Sequence, residues 1–140
     1  MKILIAADGS PYTKHMLAYL AAHDELFGPA HQYTVVNVVA GVPPRATAVL
    51  DRDLLKEYYA DTAEAVFKPI RSFFKKQGLE ASFVGKVGHA AEVIGKMAGE
   101  QKFDLVVMGS HGHTSIGNLV LGSVATKVLA ACKTPVLLVR

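Results

Sequence analysis

Short apolar runs alternate along the chain with longer stretches in which apolar residues recur at helical spacing. The runs end in turn-forming residues and are rich in valine and isoleucine, which is typical of buried strands. They predict strands at residues 2–7, 32–40, 79–87, 103–108 and 136–139. The helical spacing predicts helices from Pro11 to the Gly28-Pro29 pair, from Asp53 to near Gly78, over residues 88–99, and after Gly122.

This regular alternation of strands and helices predicts the fold class. It is typical of an α/β protein in which helices cover both faces of a parallel sheet. We expect one domain over residues 1–140, with a doubly wound five-stranded sheet in the order 3-2-1-4-5. The first and fourth strands are neighbours in that order. Asp8 and Gly109, which follow them, should therefore meet where such sheets bind ligands.

Several local features carry further predictions. Ser10 is expected to cap the first helix, which Pro11 begins. Pro69 is expected to kink or divide the long helix. Residues 41–51 show no periodicity and are expected to form an irregular connection. The last helix carries the apolar residues Val124, Val128 and Leu129.

A glycine-rich segment follows the fourth predicted strand and gives the main indication of function. Gly109 and Gly112 come directly after the strand, and Gly122 and Ser123 come before the last helix. Glycines let the backbone approach a ligand closely, and the first N–H groups of a helix attract an anion. The arrangement predicts a site for the phosphates of a nucleotide.

The same segment limits the chemistry that the site can perform. It lacks the Gly-Lys-Ser/Thr ending of a P-loop and the GxGxxG dinucleotide pattern, and no Lys or Arg lies between Gly109 and Ser123. Phosphoryl transfer depends on cationic groups positioned at the reacting phosphate. We therefore expect nucleotide binding with at most slow hydrolysis, and we assign no catalytic residue.

Other polar residues allow more than one interpretation. Asp8 could bind a ribose hydroxyl, an adenine amine or Mg²⁺, or it could simply stabilise the turn that follows it. His111 and His113 have no third ligand at a matching spacing, so no metal site of the protein's own is predicted. Arg45 could reach a phosphate if residues 41–51 closed over the nucleotide, although a mobile connection is the simpler interpretation.

Composition excludes several classes of protein. The net charge is +3 and no basic run exceeds two residues, so nothing indicates nucleic-acid binding. No apolar run approaches the ~20 residues of a membrane span. The single cysteine, Cys132, forms no disulfide within the chain and is expected to be a small apolar side chain. We expect a globular, cytoplasmic protein that binds neither nucleic acid nor membrane.

Taken with these motifs, the chain resembles the universal stress protein family. The spacing of Gly109, Gly112, Gly122 and Ser123 fits that family's ATP-binding signature, G-x2-G-x9-G-[S/T], without gaps. The family's first, fourth and last strands are similar to residues 3–10, 104–110 and 134–139. The resemblance covers the whole chain and implies a Rossmann-like domain of the adenine nucleotide alpha hydrolase type.

The resemblance also implies a ligand, contacts and an assembly. The ligand is ATP or another adenine nucleotide, with Mg²⁺. By analogy, the adenosine end is lined by Ala6, Ala7, Asp8 and Val38. The ribose and phosphates are held by Met108, Gly109, Gly112, Gly122, Ser123 and Val124. The family further implies a homodimer through the last strand and a nucleotide-responsive switch in stress endurance that acts through protein partners. The alternative is a dimeric adaptor of the same fold that binds no nucleotide.

Overall fold

The computed structural model describes residues 1–113, 117–118 and 120–140. Within those residues the chain forms a five-stranded parallel sheet in the order β3-β2-β1-β4-β5, as the sequence predicts. The strands are β1 (Lys2–Ala6), β2 (Gln32–Val39), β3 (Ala81–Val87), β4 (Leu105–Gly109) and β5 (Val136–Val139). The helices of the described residues are α1 (Pro11–Ala22), α2 (Pro44–Thr47), α3 (Arg52–Lys76), α4 (Ala90–Glu100) and α5 (Ser123–Ala131).

The two faces of the sheet bury separate apolar clusters. Along β1, Ile3 and Ile5 pack in the cluster that contains residues of α1 and α3, whereas Leu4 packs with α4 and α5. This division follows from the two-residue period of a strand. All three side chains are fully buried, and each such burial contributes about 1.5–3 kcal/mol to folding. The central strand therefore fixes both helical layers.

The sheet order opens a crevice between β1 and β4. Ala6 of β1 is paired with Val36 on one side and with Met108 of β4 on the other. The chain leaves β1 for α1 on one face and leaves β4 for α5 on the opposite face. Because the two connections diverge, the carboxyl ends of β1 and β4 are left open between them.

Helix boundaries differ from the prediction in two places. α1 ends at Ala22, ahead of the Gly28-Pro29 pair, because His23 leaves the helical conformation with φ −124° and ψ 51°. The N–H groups of Leu26 and Phe27 then both donate to the His23 carbonyl in the turn that follows. α3 continues through Pro69, so the prediction that this proline divides the helix is wrong. Pro69 lies on the exposed side of α3, where water can satisfy the carbonyl that loses its hydrogen bond.

One further expectation needs correction. The connection over residues 41–51 is not wholly irregular, since it contains the single-turn helix α2. In α5, Val128 is buried, whereas Val124 and Leu129 are 37% and 44% exposed. The buried stripe runs through Ala125 and Val128, so Val124 and Leu129 lie on its two flanks. Ser10 is the N-cap of α1 as predicted, although its side chain makes no capping hydrogen bond.

Candidate functional site

A cavity of about 560 Å³ lies at the carboxyl ends of β1 and β4. Its size is in the range of small-molecule sites. Every residue that the sequence analysis assigned to a nucleotide site lies on its lining: Ala6, Ala7, Asp8, Val38, Met108, Gly109, Gly112, Gly122, Ser123 and Val124. The fold thus gathers residues from both ends of the chain around a single space.

The lining combines apolar walls with a polar loop region. The walls also include residues that sequence reasoning missed: Val36, Ala90, Ile94 and Ala125. Val36 could have been found, because it lies two residues before Val38 and so faces the same side of β2. The positions on α4 and α5 carry no such signal, since they depend on how those helices pack on the sheet.

The turn after β1 holds the carboxylate of Asp8 in place. The Thr13 hydroxyl and the Ser10 N–H both donate to Asp8 Oδ1, at 3.0 and 2.9 Å. The Thr13 Oγ1 atom in turn accepts from the N–H groups of Asp8 and Gly9, at 3.2 and 3.1 Å. Gly9 has a φ of +77°, in the left-handed region that favours glycine. Asp8 therefore does stabilise its turn, as one of the two interpretations expected.

The other carboxylate oxygen of Asp8 is directed at the glycine loop. A Cβ atom at Gly112 would lie 2.8 Å from Asp8 Oδ2, so a side chain at this position would have to displace the carboxylate. Hydrogen bonding of Oδ1 within the turn leaves Oδ2 on the side of Gly112 and the cavity. The same side chain can thus fix the turn and present negative charge to a ligand.

The glycine loop is closed at its base by a backbone contact. The Gly122 N–H donates to the carbonyl of Ser110 at 2.8 Å. A Cβ atom at Gly122 would lie 3.0 Å from the Cα of His111 and 3.2 Å from the Ser110 carbonyl oxygen. Gly122 is also the N-cap of α5, so this contact sets the start of that helix against the end of β4.

Two histidines join the polar lining of the cavity. His113 Nε2 donates to the backbone carbonyl of Asp8 at 2.7 Å and ties the loop to the end of β1. His111 contacts the Ser110 hydroxyl through Nδ1 at 2.8 Å, and its ring centroid lies 4.9 Å from that of Tyr12 on α1. These contacts place both histidines at the site, where the sequence allowed them to be either polar loop residues or groups that face the phosphates.

Buried Asn37 adds a further tie at this end of the sheet. Its Nδ2 group donates to the carbonyl of Ala7 at 2.9 Å, just beyond the last paired residue of β1. The contact holds the residue before Asp8 against β2. Arg45, in contrast, is exposed on α2 and does not appear on the described lining of the cavity.

A doubly wound α/β domain with a glycine loop at the switch point of its sheet is a class that many nucleotide-binding proteins share. The family model described as the universal stress protein family matches residues 1–140. The chain therefore belongs to the universal stress protein family. None of the helices in the described part of the chain is long and apolar enough to cross a membrane.

Two relatives show how the chain relates to whole proteins of this family. It is 34% identical to a universal stress protein of Synechocystis, over 99% of this chain but 42% of that protein. It is 33% identical to one of Thermus aquaticus, over 99% of this chain and 97% of that protein. The chain thus spans less than half of the first relative and nearly all of the second.

Solved structures share the fold. A universal stress protein from Lactobacillus plantarum has a TM-score of 0.78 and 20% identity, covering 100% of this chain and 97% of that one. One solved in complex with cAMP has a TM-score of 0.71 and 18% identity, covering 100% and 97%. One from Archaeoglobus fulgidus in complex with dAMP has a TM-score of 0.63 and 23% identity, covering 100% and 98%.

Proposed function

We propose that this chain binds an adenine nucleotide in the cavity between the ends of β1 and β4, and that ATP with Mg²⁺ is a ligand. The observation that carries the proposal is the close approach of Gly112 to Asp8 and of Gly122 to His111, which shapes the loop around the cavity. The structures that share this fold and hold cAMP or dAMP support it.

The two kinds of lining suit the two parts of a nucleotide. The apolar side chains Val36, Val38, Ile94 and Met108 offer a surface for the faces of an adenine ring. The N–H groups of the first turn of α5, which begins at Ser123, have no partner within the helix and suit a phosphate. The base and the phosphates would then lie at different parts of one cavity.

The residues present also fit a magnesium ion that is carried in by the nucleotide. Mg²⁺ is usually held by one or two carboxylates together with phosphate oxygens. Asp8 Oδ2 faces the glycine loop and would be the protein's contribution. When bound, the ion would offset the negative charge of the phosphates beside that carboxylate.

We infer binding with at most slow hydrolysis. The described lining offers Asp8, His111 and His113 as groups able to accept a proton. Asp8 Oδ1 and His113 Nε2 are engaged in the hydrogen bonds that shape the turn and the loop. A site that uses these groups to hold its own backbone is better suited to retaining a nucleotide than to converting it.

We further infer that the protein is a cytoplasmic homodimer that acts through protein partners in stress endurance. β5 lies at the edge of the sheet and consists of Val136, Leu137, Leu138 and Val139. An apolar edge strand of this kind readily pairs with another strand. A nucleotide bound beside β4, the neighbour of β5, could then influence the dimer.

Calorimetric titration of the wild-type chain with MgATP tests this function. We expect one nucleotide to bind per chain. We also expect any release of phosphate from ATP to take hours or longer. A folded chain that binds neither ATP nor AMP would contradict the proposal and favour an adaptor that works without nucleotide. Phosphate release within seconds would contradict the inference of slow hydrolysis.

A further inference from the structure

The polar lining of the cavity holds a fixed negative charge without a matching fixed positive charge. Asp8 supplies the carboxylate. Among the described lining residues there is no Lys or Arg, and the sequence from Gly109 to Ser123 contains neither. His111 and His113 line the cavity, but imidazole is not an obligate cation as guanidinium is.

The Asp8 carboxylate lies where its unmatched negative charge would act on bound phosphates. Its Oδ2 atom lies 2.8 Å from the point where Gly112 would carry a Cβ. The backbone of the proposed phosphate loop thus runs directly beside a carboxylate. The hydrogen bonds from Ser10 and Thr13 hold that carboxylate in the turn, so it cannot easily swing away.

With no Lys or Arg on the described lining, the positive potential at the site comes from the N-terminus of α5. The N-terminus of a helix acts as about half a unit of positive charge, and its influence fades within the first turn. That suits one phosphate placed at Ser123. It does not offset a chain of three phosphates, because each further phosphate adds negative charge close to Asp8.

We propose that this cavity selects adenine nucleotides by their phosphate charge: it binds a nucleoside monophosphate such as AMP more tightly than ATP without metal, and Mg²⁺ removes the difference. The inference rests on the proposed nucleotide site and adds its charge selectivity. Asp8 acts as the residue that sets the preference, and the helix N-terminus acts as the single phosphate position.

The first experiment measures the Kd of AMP and of ATP on the wild-type chain by calorimetry, in EDTA and again with Mg²⁺. In EDTA we expect ATP to bind at least about tenfold more weakly than AMP, which corresponds to ~1.4 kcal/mol. With Mg²⁺ we expect the two Kd values to come within about threefold of each other, since the ion reduces the charge presented to Asp8.

Variants then assign the preference to particular groups. Asp8→Asn keeps an oxygen that can accept from Ser10 and Thr13 but removes the charge, so the ratio of the two Kd values in EDTA should approach one. His113→Arg places an obligate cation on the lining and should also lower the ratio. His113→Gln is its neutral control, because its amide can still donate to the Asp8 carbonyl, so the difference in ratio between the two variants reports the added charge.

The outcomes separate this inference from the proposed function. If the folded wild-type chain binds neither nucleotide, the proposed function itself fails. If both bind and metal-free ATP is as tight as AMP or tighter, the nucleotide site stands and the charge selectivity is overturned. A preference for AMP that persists unchanged in the folded Asp8→Asn variant would overturn the role given to Asp8.

Discussion

Gly122→Val should weaken MgATP binding by at least about 100-fold, or ~2.7 kcal/mol. The backbone of Gly122 has a φ of −71°, which any residue can adopt, so conformational strain is not the reason. The reason is space, since a Cβ atom would lie 3.0 Å from the Cα of His111 and 3.2 Å from the Ser110 carbonyl oxygen. Both contacts are to backbone, which cannot rotate away as a side chain does.

To make room for the valine side chain, the backbone at the base of the glycine loop would have to move apart. The hydrogen bond from the Gly122 N–H to the Ser110 carbonyl would lengthen, and the start of α5 would move away from the end of β4. The N–H groups proposed to hold a phosphate would then lose their position. Affinity should fall because a preorganised anion site depends on such placement.

Gly117→Val is the matched control for this prediction. Gly117 lies in the same connection between β4 and α5, but a Cβ atom there would have no heavy atom of the described residues within 4 Å. We expect its affinity for MgATP to stay within about threefold of the wild type, or ~0.7 kcal/mol. Thermal unfolding of both variants shows whether each is folded. Wild-type affinity in a folded Gly122→Val protein would show that the loop does not hold the nucleotide.

Leu138→Pro should convert the proposed dimer into a monomer, with the dimer Kd raised by at least about 100-fold, or ~2.7 kcal/mol. The carbonyls of Pro135 and Val139 accept from Val106 and Ser110, so these two residues face β4. Because residues alternate along a strand, the N–H of Leu138 points to the open edge of the sheet. Proline removes that donor and blocks an incoming strand, while the bonds to β4 are retained.

Leu138→Ala is the control that separates loss of the outward N–H at the sheet edge from loss of apolar packing in the core. The Leu138 side chain packs partly against the cluster beneath α4 and α5, so either substitution removes some apolar contact. Only proline removes the outward N–H. Light scattering after size-exclusion chromatography should therefore find the alanine variant dimeric and the proline variant monomeric. A Leu138→Pro protein that remains dimeric would place the interface elsewhere, and a monomeric wild type would remove the dimer altogether.

The fold was predictable because the sequence repeats one simple pattern, a short apolar strand followed by a helix. Each strand is a short apolar run with clear ends, and alternation with helices leaves few sheet orders to consider. The wrong predictions concern features on which the hydrophobic pattern carries little information. Pro69 is tolerated within α3 because it lies on the exposed side, and exposure depends on tertiary packing that periodicity does not report.

The candidate site was predictable to a lesser degree. The sheet order predicts that Asp8 lies near Gly109, although the two residues are far apart in the sequence, and the structure places its carboxylate beside Gly112. The hydrogen bond from His113 to the Asp8 carbonyl was not predictable, because it depends on the path of the loop. The same holds for Ile94, whose place on the lining depends on how α4 packs against the sheet.

The central claim is that a nucleotide occupies the cavity beside the glycine loop, and amide NMR of the ¹⁵N-labelled chain with MgATP tests it most directly. We predict saturable shifts at Gly112, Gly122, Ser123 and Val124, which line the cavity, with no change at Gly99 on the exposed end of α4. Shifts confined to the groove at the amino ends of the strands, lined by Gln32, Gly78 and Ser82, would contradict the account. So would a folded spectrum that MgATP leaves unchanged.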